Sequence, residues 1–267
     1  MIVVKIGGSE GTDYQQICAD IATHIKNGQQ IIVVHGASHE TNQLSHALDH
    51  PPVFITSVSG HESRRTDRKT LEIFIMAVAG KINTLIVESL QQQGVNAIGL
   101  TGCDGRLLMG ERKKAIRAVI DGKRKIIRDD YTGKVDQVNT ELLTLLCDAG
   151  YTPVIAPIAL SDDHEAMNVD GDRAAAEIAG AIKADELTIF TNVPGLLKDI
   201  SDPDSLIPHI PKAKIEDYMS VAQGRMKKKI LGATEAITAG VQCVRLSSGK
   251  VSNPLSHAHA GHCTVIS

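Results

Sequence analysis

The sequence predicts an α/β fold built on a mainly parallel sheet. Short apolar runs rich in Val and Ile alternate with amphipathic stretches of helical period, as in strands joined by crossover helices. Several helical stretches close on glycine, at Gly28, Gly94, Gly150 and Gly240, as a left-handed C-terminal cap requires. Loops of small residues follow directly on apolar runs, at the edge where open α/β sheets bind ligands.

In chain order, Ile2–Ile6 reads as a buried strand and 12–26 as a helix, with Thr12 as N-cap. Residues 30–34 form a second strand, and a helix opens at His39. A long helix covers 66–93, capped by Thr66 or Asp67, and a third strand covers 96–100. The pattern changes after Gly102. Segments 106–109 and 123–128 read as arms of a β-hairpin that turns at Asp121-Gly122. A helix at 138–149, a strand at 153–156 entering a proline turn, a helix at 174–183 and the strand Glu186–Thr191 follow. A helix at 223–239 and strands at 242–246 and 263–266 complete the chain. There is no repeat or long linker, so the elements make one continuous sheet or two closely fused lobes.

At 267 residues, 42% hydrophobic and 22% charged, the chain can bury one large core or two lobes. No uninterrupted apolar run reaches the roughly 18 residues of a membrane span. The start reads as a strand rather than a signal peptide. These features predict a cytoplasmic protein without membrane contact. Five scattered cysteines, with no C-x-x-C pair, argue against a disulfide framework or zinc knuckle. His257, His259 and His262 read as a polar loop, and no metal site is expected. Trp is absent and aromatics are 3%, which leaves little for nucleic-acid stacking. Charge is uneven: residues 106–134 hold ten Lys/Arg against four Asp/Glu, within a chain of net −3. A basic arm on an acidic body points to an acidic partner or substrate at one place.

Six motifs carry chemistry. Lys5-Ile6-Gly7-Gly8-Ser9 puts a lysine inside a buried strand, where its charge needs a partner, and then two glycines that let backbone N–H groups approach an anion. His35-Gly36-Ala37-Ser38 repeats the arrangement after a second strand and before a helix, whose N-terminus suits an anion. Neither loop is a Walker-type phosphate loop or a dinucleotide fingerprint. Ser63-Arg64-Arg65-Thr66-Asp67 places arginines before a helix start, where one can clamp a carboxylate. Asn168-Val169-Asp170-Gly171-Asp172 supplies helix caps or groups that orient lysines. Thr191-Asn192-Val193-Pro194-Gly195-Leu196 is another loop after a strand. Gly224-Arg225-Met226-Lys227-Lys228-Lys229 is a basic helix start, either solvated or facing phosphate.

Taken together and in this order, these motifs resemble the amino acid kinase family, and within it the N-acetylglutamate kinases, over essentially the whole chain. The resemblance implies a three-layer α/β/α sandwich and a homodimer. Residues 1–167 would form an acyl-substrate and dimerisation lobe carrying the basic hairpin 106–134, and residues 168–267 an ATP-binding lobe. Lys5 and Lys229 would flank the transferring phosphoryl group, and Asp172 would orient both. Gly7, Gly8, Gly36 and Ala37 would offer backbone donors, Arg64 would bind the substrate α-carboxylate, and Asn168 would hold the substrate. Thr191, Asn192, Gly195 and Leu196 would line the nucleotide site. The cofactor would be ATP with Mg2+ held mainly by the phosphates.

Three departures stand out. Ala37 replaces a usual glycine, which would be costly at positive φ. The helical extension of arginine-inhibited hexameric members is missing before the first strand. The segment Asp130-Tyr131-Thr132-Gly133-Lys134-Val135, with the basic arm and 65–72, is similar to the lysine-biosynthetic kinases acting on α-aminoadipate attached to an acidic LysW-type carrier. That similarity implies an acidic carrier docking on the hairpin. The competing expectations are a kinase of free N-acetylglutamate, with the hairpin merely solvated, and more remotely a non-catalytic sensor.

Overall fold

The computed structural model describes residues 1–57, 62–120, 123–219, 222 and 224–267. The first elements are β1 (Ile2–Ile6), α1 (Tyr14–Lys26), β2 (Ile31–His35), α2 (Ser38–Ala47), β3 (Phe54–Ser57) and β4 (Glu62–Arg64). A continuous helix follows as α3 (Arg68–Ile75), a π-helical segment Met76–Asn83 and α4 (Thr84–Gln92). Next come β5 (Ala97–Thr101), β6 (Leu108–Arg112), β7 (Ile116–Ile120), β8 (Lys123–Ile127), β9 (Gly133–Val138) and α5 (Thr140–Asp148). Then come β10 (Thr152–Ala156), β11 (Ile158–Ser161), β12 (Ala166–Asn168), α6 (Gly171–Ala181), β13 (Glu186–Thr191), β14 (His209–Ile210) and α7 (Ile215–Tyr218). The chain ends with α8 (Gly224–Thr238), β15 (Cys243–Ser248), α9 (Pro254–His259) and β16 (Thr264–Ile266).

The main sheet has eight strands in the order β14-β16-β15-β13-β1-β2-β10-β5, parallel except where β15 meets β16. Its two faces bury separate cores. Val3, Ile32, Val34 and Ile155 meet Ala175 and Ile178 of α6 and Ile230 and Ala233 of α8 on one side. Val4, Ile6, Val33 and Val154 meet Ile17 and Ile21 of α1, Leu71 of α3 and Ile86 of α4 on the other. Strands buried on both faces read as continuous Val/Ile runs, which gives the mainly parallel sheet that the pattern predicts, and helices on both faces give the α/β/α sandwich that the family resemblance implies. The first helix is capped by Asp13, whose carboxylate accepts the Gln16 N–H, rather than by Thr12. Asp67 caps α3 in the same way, and Gly94 and Gly150 take positive φ after their helices.

Two smaller four-stranded sheets depart from the sequence reading: β12-β11-β6-β9 and β4-β3-β7-β8. The basic segment is two nested hairpins. Strand β8 pairs with β7, not with 106–109, while β6 pairs with β9 in the other sheet. The turn expected at Asp121-Gly122 lies outside the described residues. Register in such strands is set by which face is buried against the rest of the molecule, and composition alone does not show it.

The helical run Arg68–Gln92 is long and apolar enough by composition to cross a membrane, yet half of its most apolar stretch is buried inside the protein. Leu71, Val78, Ile86 and Leu90 are sealed against the sheet, which marks a core helix.

Candidate active site

Strands β15, β13, β1 and β2 run parallel, so the loops after them share one rim. Lys5 sits near the end of β1, in register with Ile189 and Val34, and is only 7% exposed. Its side chain meets the first turn of α6, where Asp172 stands after the N-cap Asp170. Lys5 Nζ lies 2.6 Å from Asp172 Oδ1, a close buried ion pair. Lys229, on the second turn of α8, donates to Asp172 Oδ2 at 2.8 Å. Three residues far apart in the chain, with Asp172 57 positions before Lys229 and Lys5 near the N-terminus, thus meet at one buried point.

The electrostatics favour an anion there. Burial opposes ionisation of Asp172, but Lys5 and Lys229 outweigh it and hold its carboxyl well below the usual carboxylate range. Burial, and then repulsion from Lys5, lower the pKa of Lys229, while Asp172 opposes the shift. Two ammonium groups and one carboxylate leave a net positive charge with little access to water, an arrangement that is costly until an anion joins it.

The two glycine loops lie against each other beside this point. A Cβ on Gly8 would fall 2.2 Å from the Ala37 nitrogen and 2.3 Å from the Gly36 carbonyl carbon, so the loops approach backbone to backbone. The Gly8 carbonyl accepts from the His39 N–H at 2.8 Å and the Ser38 hydroxyl at 2.9 Å. Gly36 donates its own N–H to the Ile6 carbonyl at 3.0 Å, so its role beside a ligand is to leave room. Ala37 has φ −149° and stands at the N-terminus of α2. The strain expected of alanine there does not arise, because the position needs no left-handed backbone.

Arg64 ends β4 over the ring of Phe54, 5.1 Å from its centroid. One terminal nitrogen donates to Asn42 Oδ1 at 2.6 Å and to the Ser38 carbonyl at 3.3 Å, which brings the guanidinium to the second glycine loop. The other terminal nitrogen is buried without a partner among the described residues, and burial lowers the pKa of the group. A cation with one fork satisfied and one open is ready for a carboxylate. Asn168 donates from its side chain to the Thr66 hydroxyl at 3.2 Å, and so stands beside the start of α3. Buried Asp130 organises the same corner by accepting from the Thr66 and Thr132 N–H groups.

On the far side of Lys5, a narrow cleft brings together Gly7, Thr12, Thr191, Asn192 and Lys250. The Ser9 hydroxyl donates to Asn192 Oδ1 at 2.9 Å, tying the first glycine loop to the loop after β13. Gly195 and Leu196 lie deeper. The Leu196 N–H donates to the Thr264 hydroxyl at 2.8 Å, and Leu196 is 2% exposed. Among the described residues, no cluster of three His, Cys, Asp or Glu could hold a metal ion.

Sequence reasoning missed three contributors. Tyr14 directs its hydroxyl at the carbonyls of Gly36, at 3.3 Å, and Gly7, at 3.5 Å, and so touches both glycine loops. Burial, with Glu40 adding, pushes that phenol up to about 12, so it remains a donor. Lys250 follows β15, and a Gly-Lys pair after an apolar run was its only signal. Lys228 donates to the Glu62 carbonyl at 2.9 Å, linking α8 to the sheet that holds the basic strands.

The amino acid kinase family model matches residues 1–247. This chain belongs to the amino acid kinase family. It is 52% identical over 267 residues to the [LysW]-aminoadipate kinase of Deinococcus radiodurans, covering all of this chain and 91% of that one. It is 38% identical over 242 residues to the acetylglutamate kinase of Methanopyrus kandleri, covering 90% of this chain and 92% of that one. Among solved structures, N-acetylglutamate synthase of Neisseria gonorrhoeae superposes with a TM-score of 0.79 at 24% identity, covering 100% of this chain and 59% of that one. At that identity the likeness speaks for the fold alone.

Proposed function

We propose that this kinase transfers the γ-phosphoryl group of ATP to the side-chain carboxylate of an amino-blocked acidic amino acid, most plainly aminoadipate carried on a LysW-type protein. The observation that carries the reading is the Lys5–Asp172–Lys229 cluster between two backbone-lined loops. A carboxylate oxygen attacks the γ-phosphorus, the bond from that phosphorus to the β–γ bridging oxygen breaks, and ADP leaves. The nucleophile is already ionised at neutral pH, so no general base is needed. What remains is alignment and neutralisation of charge on the transferring group, the task to which the two lysines are suited. Asp172 is engaged by both lysines, so Mg2+ would be held mainly by the nucleotide phosphates.

We assign residues 1–167 to the acyl side and 168–267 to the nucleotide side. Arg64, Asn168 and Ala37 would hold the acyl substrate. Lys5, Gly7, Gly8, Thr191, Asn192 and Lys229 would face the nucleotide, with Gly195 and Leu196 as its supporting wall. The 52% identity to a carrier-linked kinase supports the carrier substrate over free N-acetylglutamate. So does the arm: Lys113, Lys114, Arg117, Lys125, Arg128 and Lys134 are exposed, and none is in an ion pair among the described residues. Arg112, by contrast, is turned inward, against Glu165 and the Tyr131 ring. A homodimer through the open edge of β5 is supported by exposed Met76 and Leu85 on the neighbouring helix.

The test is ATP turnover with hydroxylamine trapping of the acyl phosphate. Carrier-linked aminoadipate should give the hydroxamate efficiently, and free N-acetylglutamate poorly. Equal or better use of free N-acetylglutamate would replace the carrier reading, and nucleotide binding without turnover of either would replace the kinase reading.

A further inference from the structure

His35 closes β2 directly before Gly36 and is fully buried. Its Nε2 lies 2.9 Å from Asn83 Nδ2, and the same Asn83 nitrogen donates to the Val154 carbonyl at 2.9 Å. A carbonyl oxygen can only accept, so the contact with Val154 fixes which end of the Asn83 amide is nitrogen. An amide nitrogen can only donate, so His35 Nε2 must be the bare, accepting nitrogen. Its proton therefore sits on Nδ1, which has no aligned partner among the described residues.

Asn83 is the last residue of the π-helical segment, a widened turn in an otherwise α-helical run of 25 residues. Its side chain is received by Gly99 on β5. A Cβ there would fall 2.1 Å from Asn83 Oδ1. A chain of contacts thus runs from the sheet edge at β5, through Asn83, to the histidine that precedes the second glycine loop.

We infer that Asn83 and His35 are positioning residues: the Asn83 amide locks His35 as the Nδ1-protonated tautomer, and this fixes the backbone of Gly36 and Ala37 against Gly8. Burial, opposed by the backbone of Gly36 and aided by the charge of Lys5, takes the His35 pKa down to about 4, which keeps the ring neutral at working pH. The loop faces the acyl and phosphoryl groups, so a small displacement falls on alignment rather than on ground-state binding. Only the catalytic readout of this inference rests on the kinase reading.

The test uses 15N-labelled full-length protein with two variants. Long-range proton–nitrogen spectra of the wild type should show a protonated Nδ1 and an unprotonated Nε2 on His35, without any substrate. Asn83→Asp cannot donate and should move the proton to Nε2 or charge the ring. Gly99→Ala leaves every polar group of the relay in place but evicts the Asn83 amide, and should release the same tautomer. Both should lower kcat at least about 10-fold with KM changed little, in samples whose melting curves show a folded protein. A wild-type ring protonated at Nε2 overturns the inference whatever the enzyme's substrate. So does a full kcat in folded Asn83→Asp and Gly99→Ala, or a loss confined to thermal stability.

Discussion

At the scale of single residues, the buried charge cluster sets the strongest expectations. Lys5→Ala and Lys229→Ala should each lower kcat on the order of 100-fold or more while the protein stays folded, because each removes charge needed most as the phosphoryl group transfers. Near-normal kcat in either would end the proposed mechanism. Lys229 must be protonated to act, and burial and Lys5 place its pKa below the ordinary lysine range. We therefore predict a kcat that declines as pH rises through that lowered value. Asp172→Asn removes the attraction that opposes the shift, so its alkaline limb should move to lower pH; a limb in the same place would assign it to another group. Arg64→Ala removes the open fork on the acyl side. It should raise KM for the acyl substrate and leave the affinity for a nucleotide analogue little changed. A large loss of nucleotide binding would move Arg64 out of the acyl site.

At the scale of elements, the loops after parallel strands build the site, and the opposite ends of those strands build stability. Glu186 begins β13 and holds Arg245 of β15 at 2.8 Å and His259 of α9 at 2.9 Å. Burial opposes its ionisation, but His259, Thr188 and Arg245 outweigh it and bring its pKa from 4.5 to about 2. The folded pKa is depressed, so this stabilisation is complete above the unfolded value and is lost as pH falls through the folded one. Glu186→Gln should cost about 2–3 kcal/mol near pH 7 by denaturant unfolding. Its deficit against wild type should shrink as pH drops from 4.5 towards 2. A deficit independent of pH would mean lost packing rather than lost charge. The basic strands teach a different lesson at this scale. Strand β7 rather than 106–109 is the partner of β8, because Ile55, Ala118 and Ile127 form a small core of their own.

At the scale of the whole molecule, a net charge of −3 conceals a basic surface at one end of the proposed acyl side. Reversing Lys113, Lys114 and Lys125 to glutamate should barely change stability, since they are exposed. It should raise KM steeply for a carrier-linked substrate and leave small free substrates unaffected. The wild-type on-rate with carrier should also fall with added salt, as exposed charges are screened over roughly 10 Å at 0.1 M. Indifference to salt and to charge reversal with every substrate would reduce the arm to a solvated surface.

The sequence by itself determined the α/β class with its mainly parallel sheet, the glycine-closed ends of several helices and the local chemistry of the loops, because period, capping and glycine placement act within a few residues. It also marked Lys5 as a residue in search of a partner, since a buried charge needs one wherever it lies, while Asp172 and Lys229 were joined to it by the family resemblance. The meeting of those three was decided by tertiary structure, as 57 positions separate Asp172 from Lys229 alone. So was the role of Ala37, whose φ depends on how Gly8 packs against it. The His35–Asn83 contact was beyond local reading for the same reason. An asparagine in an apolar helix signals a polar partner, but only the widened turn and the packing of β2, β10 and β5 against it decide which partner it meets.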